Sequence, residues 1–177
     1  MSRAGIGEMS LRELAAAIGT SHRMLIHHFG SKDGLWLEIV REVEARQRQL
    51  MAETVLSTGA PTAEQLRAWW KHISDPSLWP NARLFFELYA RGLQGSEPAA
   101  QLLAGVVDDW AAPGARAMMA QGIPAARARA QSRLGVAVIR GLLLDLLATE
   151  DTAGADAAMD AFIELYEAGR MAAGSTD

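Results

Sequence analysis

"LRELAAAIGTSHRMLIHHFGSKDGL", residues 11–35, contains two short helical patterns separated by Gly19, Thr20 and Ser21, then an abrupt stop. Ser10 is placed to cap the first, from Leu11 to about Ile18, with Glu13 at the third helical position completing a capping box. Leu11, Leu14, Ala15 and Ile18 recur at three and four and form one apolar face. Ser21 is placed to cap a second helix through His28 or Phe29. We expect Leu25 and Phe29 to dock on Leu14 and Ile18 and so hold the two helices at a fixed angle. The side chains left outside that contact are His22, Arg23, Met24, Ile26, His27 and His28. "GSKDG" then ends the second helix.

The helical spacing continues beyond residue 35, and nothing in the chain alternates with period two, so we expect an all-α protein. Ser31 caps a long third helix from Lys32 to about Leu56. "STGAPT" (57–62) reads as a boundary, and Thr62 with Gln65 opens a further helix. Pro76 and Pro80 bracket a short turn around Trp79. "NARLFFELYARGL" follows, with Arg83, Glu87 and Arg91 as a charged stripe at i, i+4 and i+8. "QGSEP" closes that segment. One helix is then expected from about Ala99 to Ala120, bent or broken at Pro113-Gly114. Another starts at Pro124 and runs to about Thr149, and the last covers about Ala155 to Met171. The pattern divides into a head and linking helix, 1–50, and a body, 51–177.

Bulk properties limit the choice of function. The 177 residues are half apolar and 21% charged, a composition able to bury a core. There is no cysteine, which excludes disulfides and thiolate metal sites and fits a reducing cytoplasm. "LGVAVIRGLLLDLLA" is interrupted by Arg140 and Asp145, so no membrane span is expected. The net charge is −4, yet residues 1–50 hold seven Lys/Arg against six Asp/Glu, plus three of the four histidines. Residues 51–177 hold ten against fifteen. An acidic body with a less acidic head suits a protein that meets polyanions at one end.

"SLRELAAAIGTS" followed by "HRMLIHHFGSKDGL" resembles the tetracycline-repressor (TetR) family of bacterial regulators. The Phe29–Gly30–Ser31–Lys32 ending, with Leu35 shortly after, is the most specific part. The resemblance implies a recognition helix from Ser21 to Phe29, a helical body with a ligand pocket, and a dimer formed by the last two long helices. The partners implied are double-stranded operator DNA, a second copy of the chain and a small-molecule effector that releases the repressor. On that reading Ser10, Ser21 and Lys32 grip phosphates, and His22, Arg23, Met24, His27 and His28 face the groove. At position 26 the family commonly has a tyrosine whose hydroxyl contacts phosphate; Ile26 offers only packing. The family also has a helix ahead of Gly5. With Met1 near the end of that helix, Leu14 and Ile18 are expected to lose cover, at about 1.5–3 kcal/mol of burial per large side chain. The rival reading is a helical ligand-binding, dimerising protein that has lost DNA binding with that helix.

In the body, Trp69, Trp70, Trp79, Phe85, Phe86, Tyr89 and Trp110, with Met118, form a set that reads as the wall of a pocket for an apolar or aromatic effector. Ala137, Gly141, Leu144 and Ala148 line one face of the Pro124 helix. Met159, Phe162 and Tyr166 lie on the apolar face of the last. Both are wide enough for a two-fold four-helix interface. No enzyme and no cofactor are expected. "GIGEMS" (5–10) lacks the third glycine of a dinucleotide fingerprint, and GxSxG and HExxH are missing. His27 and His28 point about 100° apart on a helix and have no carboxylate at i+3 or i+4, so no metal site is expected there.

Overall fold

The computed structural model describes residues 9–55 and 61–174, with side chains through Gly169. All its regular structure is helical: α1 (Leu11–Ala17), α2 (His22–Phe29), α3 (Lys32–Thr54), α4 (Ala63–Ile73), α5 (Trp79–Leu93), α6 (Glu97–Leu103), α7 (Asp108–Ala120), α8 (Ala125–Thr149) and α9 (Thr152–Gly174), with a 3-10 turn at Pro76–Leu78. No described helix is long and apolar enough to cross a membrane. Most of "GIGEMS" and most of the 57–62 boundary lie outside the described residues.

The chain divides into two compact units. One holds residues through Gln47 together with Ser77–Val106; the other holds Arg48–Pro76 and the chain from Val107 onward. In the first unit α5 packs on α6, and its core includes Trp36, Leu37, Val40, Leu84, Phe85, Leu88, Ala99 and Leu102. The start of α3 is tied to α5 by charge. Arg91 donates to Asp33 at 2.7 Å and to Glu87 at 2.6 Å, and the Ser96 hydroxyl donates to the other Asp33 oxygen at 3.3 Å.

In the second unit α7 packs on α8, and α9 on both α8 and α4. Leu146, Met159 and Ile163 are fully buried there. Trp70 donates its indole N–H to Asp156 and Arg67 pairs with Asp160, each at 2.7 Å, so two polar contacts one helical turn apart clasp α4 to α9.

The expected single helix over 99–120 is two helices. The break falls at Ala104, which is extended, and Gly105, at φ +78°, while Pro113 lies inside α7 without ending it. Proline costs α7 one hydrogen bond, to the carbonyl of Asp109. Close packing on α8 outweighs that loss. The Ser132 hydroxyl donates to the Ala111 carbonyl at 2.6 Å, and a Cβ at Gly114 would sit 2.6 Å from the same hydroxyl oxygen.

Candidate nucleic-acid interface

Both head helices begin at the expected caps. Ser10 accepts the Glu13 N–H at 3.2 Å while Glu13 accepts the Ser10 N–H at 2.7 Å, closing the capping box. These hydrogen bonds, the backbone one first, hold the Glu13 carboxyl below its ordinary value, and the Lys32 ammonium adds to the effect. Ser21 accepts the Met24 N–H at 3.2 Å, and Ser31 accepts the Gly34 N–H at 2.9 Å. Gly30 caps α2 by donating to the Ile26 carbonyl.

Beneath these caps, Ala15, Leu25 and Leu35 form a small core, covered by Leu11, Leu14, Phe29 and Ile39. Leu25 therefore docks on α1 as expected, but Ile18 takes no part and is 61% exposed. Ile18 follows the last residue of α1, and its backbone (φ −100°, ψ 7°) has left the helical path that would carry it onto the face of Leu11 and Leu14. Ala15 and the leading residue of α3's face, Leu35, take its place.

On α2, residues four apart form rows. The row Leu25–Phe29 faces inward. The other three, His22–Ile26, Arg23–His27 and Met24–His28, are exposed throughout. Among the described residues none forms an ion pair with His22, Arg23, His27 or His28. The His27 and His28 rings meet edge-on at 5.4 Å, and His28 is 6.3 Å from the Phe29 ring. Ser10 and Ser21 are exposed as well, and Lys32 is half-exposed at the start of α3. The expected interface residues thus share the outside of the head.

His28 has a second environment that the sequence did not disclose. With Phe29, Gly30, Ser31, Gly34, Leu37, Glu38, Pro98 and Gln101 it lines a cleft of about 590 Å³ within the first unit. Arg41 bridges one wall to the other, at 2.7 Å from Glu38 and 3.4 Å from Gln101.

The eight aromatic and Met residues proposed for a pocket wall fall four in each unit. Phe85 stacks near Phe86 and Tyr89 at 5.3 and 5.8 Å, with Trp79 under Arg83 in the same unit. In the other, Trp69 meets Trp110 at 6.2 Å, Trp70 bonds Asp156, and Met118 is buried with Ala115 and Ala128. Of the expected dimer residues, Ala137, Gly141, Leu144 and Ala148 are exposed, while Phe162 and Tyr166 are half-buried. Met159 is not on a surface: it is 1% exposed inside the unit, on the side of α9 that also buries Ala155 and Ile163.

A short helix capped by Ser10, a tight turn and a second helix whose outer rows are cationic and hydrogen-bonding make a helix-turn-helix head, here joined to a wholly helical body. The match to a family model for bacterial regulatory proteins of the tetR family covers residues 1–39. The likeness to TetR-family regulators therefore rests on the head, residues 1–39. Two crystal structures share the fold along nearly its whole length. A transcriptional regulator from Rhodococcus sp. Rha1 has 21% identity, a TM-score of 0.76, and coverage of 94% of this chain and 89% of its own. A protein described as a TetR-family transcriptional regulator from Rhodococcus sp. has 20% identity, a TM-score of 0.68, and coverage of 89% and 87%. No curated protein matches the sequence significantly.

Proposed function

We propose that this protein is a dimeric, ligand-responsive repressor that binds operator DNA through α2. One observation carries the reading: Leu25 is 5% exposed while Arg23 and His27, opposite it, are open and carry no ion pair among the described residues. A helix held by one row and free on three is what a major groove admits. His22, Arg23, Met24 and His27 read bases, with His28 at the edge. Ser10, Ser21 and Lys32 fix the register on phosphates. The functional division falls near residue 50, with the head before it and the ligand-binding, dimerising body after.

Support for the dimer comes from α8. Leu134, Ala137, Gly141, Leu144 and Ala148 form one seam at spacings of three and four, and all are exposed, with Leu134 at 56% and Leu144 at 52%. Leu165 of α9 adds an apolar side chain 74% exposed. Small residues along such a seam permit close approach of a second copy. Two heads then meet half-sites about 34–36 Å apart, or a multiple of that. An apolar or aromatic effector bound in the body acts through α3. Favouring the DNA-free arrangement by about 1–3 kcal/mol gives roughly 5–150-fold release.

The test is binding to duplex DNA from beside the chain's own gene at two salt concentrations. Affinity should fall steeply with salt; the slope should flatten by about one unit on Lys32→Ala, whereas Arg23→Ala should cost about 1–3 kcal/mol and relax the sequence preference. Binding that ignores salt, or that survives both substitutions unchanged, counts against α2 as the recognition helix.

A further inference from the structure

The outer face of α2 is polar along its crest and apolar on both shoulders. At about 100° per residue, Arg23 and His27 form the crest, with Ile26 roughly 80° to one side and Met24 roughly 80° to the other. Ile26 is 38% exposed. It takes no part in the apolar cluster that holds α2 to α1 and α3. A lone exposed aliphatic residue is ordinary on a protein surface. This one, however, lies one turn beyond His22 on its own row, beside the exposed crest of Arg23 and His27.

Isoleucine has no donor or acceptor, so neither a phosphate nor a base edge can be recognised by hydrogen bonding there. The apolar group that B-DNA presents in the major groove is the C5-methyl of thymine. We infer that Ile26 specifies a thymine in each half-site by packing on that methyl, an inference that rests on α2 being the recognition helix. Branching at Cβ fixes the Ile26 rotamer and gives it one defined surface, whereas Met24 on the other shoulder can rearrange. The row also sets a distance. Ile26 lies about 6 Å along the helix from His22, and base pairs rise by about 3.4 Å, so this thymine falls within about two steps of the base His22 reads.

The experiment starts from the duplex that the full chain selects out of a random DNA pool. Each thymine of the half-site is replaced in turn by deoxyuridine, which removes only the methyl. Wild-type affinity should drop about fourfold per lost contact at one position, and about fifteenfold when both half-sites are changed. Ile26→Ala should bind the thymine and uracil duplexes equally, and Ile26→Val should keep most of the difference. Circular dichroism melts should be unchanged for both, since the side chain is outside the core. Sequence-specific binding that ignores every thymine-to-uracil change overturns the contact while leaving the repressor reading intact. So does an Ile26→Ala variant that keeps the full penalty. A pool that yields no preferred duplex overturns the recognition-helix reading, and this inference with it.

Discussion

At the residue scale, Glu13 links two parts of the head. Its carboxylate closes the α1 cap and lies close enough to Lys32 to feel its charge. Because the folded-state value is depressed, the contribution to stability is present above the unfolded value, about 4.3, and is lost as pH falls through the lower folded value. Protection of the Ser10 amide, measured against its intrinsic exchange rate, should therefore fall as pH drops through the lowered Glu13 value. Glu13→Gln, which keeps an acceptor, should remove the pH dependence, and Glu13→Ala should leave the amide unprotected at every pH. Gly34 gives the second prediction. Alanine in place of helical glycine ordinarily stabilises by about 0.5–1 kcal/mol. Here the new Cβ would collide with the backbone carbonyl of Phe29. Gly34→Ala should instead lower the urea midpoint and weaken DNA binding, because the end of α2 must shift to make room.

Between elements, neighbouring positions on α2 should part company. Leu25→Ala removes a buried side chain from the contact of α1, α2 and α3 and should cost about 2–5 kcal/mol in denaturant unfolding. Arg23→Ala and Ile26→Ala, on the outer rows, should leave stability nearly unchanged. The Asp33–Arg91 pair joins the first turn of α3 to α5, with Asp33 24% exposed and Arg91 40%. Arg91→Ala should cost on the order of 1–2 kcal/mol, between the ranges for exposed and buried pairs, and Asp33→Asn less. Exchange should quicken first at the amides that begin α3. Such elements were unequally legible. Ser10, Ser21, Ser31 and Thr62 announce helix starts because a cap is a local interaction across three residues. The stripe of Arg83, Glu87 and Arg91 was visible too, and Glu87–Arg91 pairs along it. Arg91's other partner, Asp33, lies 58 residues away, and no local rule finds it. Ile18 and Pro113 misled for one reason. Periodicity and propensity describe an isolated helix, whereas the chain leaves α1 at Ile18 and the α7–α8 contact holds Pro113 in place.

For the whole molecule, the all-helical fold was legible from helical spacing, and the likeness of the head to TetR-family regulators from its contiguous motif. The body's function was not, because its aromatic residues come from helices far apart in sequence, and spacing says nothing of which ones converge. What the body does offer is a seam on α8 whose exposure has a direct consequence. Leu134, Ala137, Gly141, Leu144 and Ala148 lie at three-four spacing with no large polar group among them, so a second copy of α8 can approach closely along it. A charge in the middle of that seam should be harmless to the fold and fatal to pairing, since an unpaired guanidinium would be stripped of water only in the dimer. Leu144→Arg should therefore leave the helical circular dichroism and its melt nearly intact. In light scattering it should turn a species of twice the 19.1 kDa chain mass into one of that mass. DNA binding should then lose its dependence on half-site spacing, because a single head has no second groove to match. Met159→Arg makes the contrast: at 1% exposure it lies within the fold, so the same charge there should unfold the second unit instead of merely parting two copies. A wild-type chain of 19.1 kDa mass in solution, or a Leu144→Arg variant that still pairs, would place the dimer contact elsewhere.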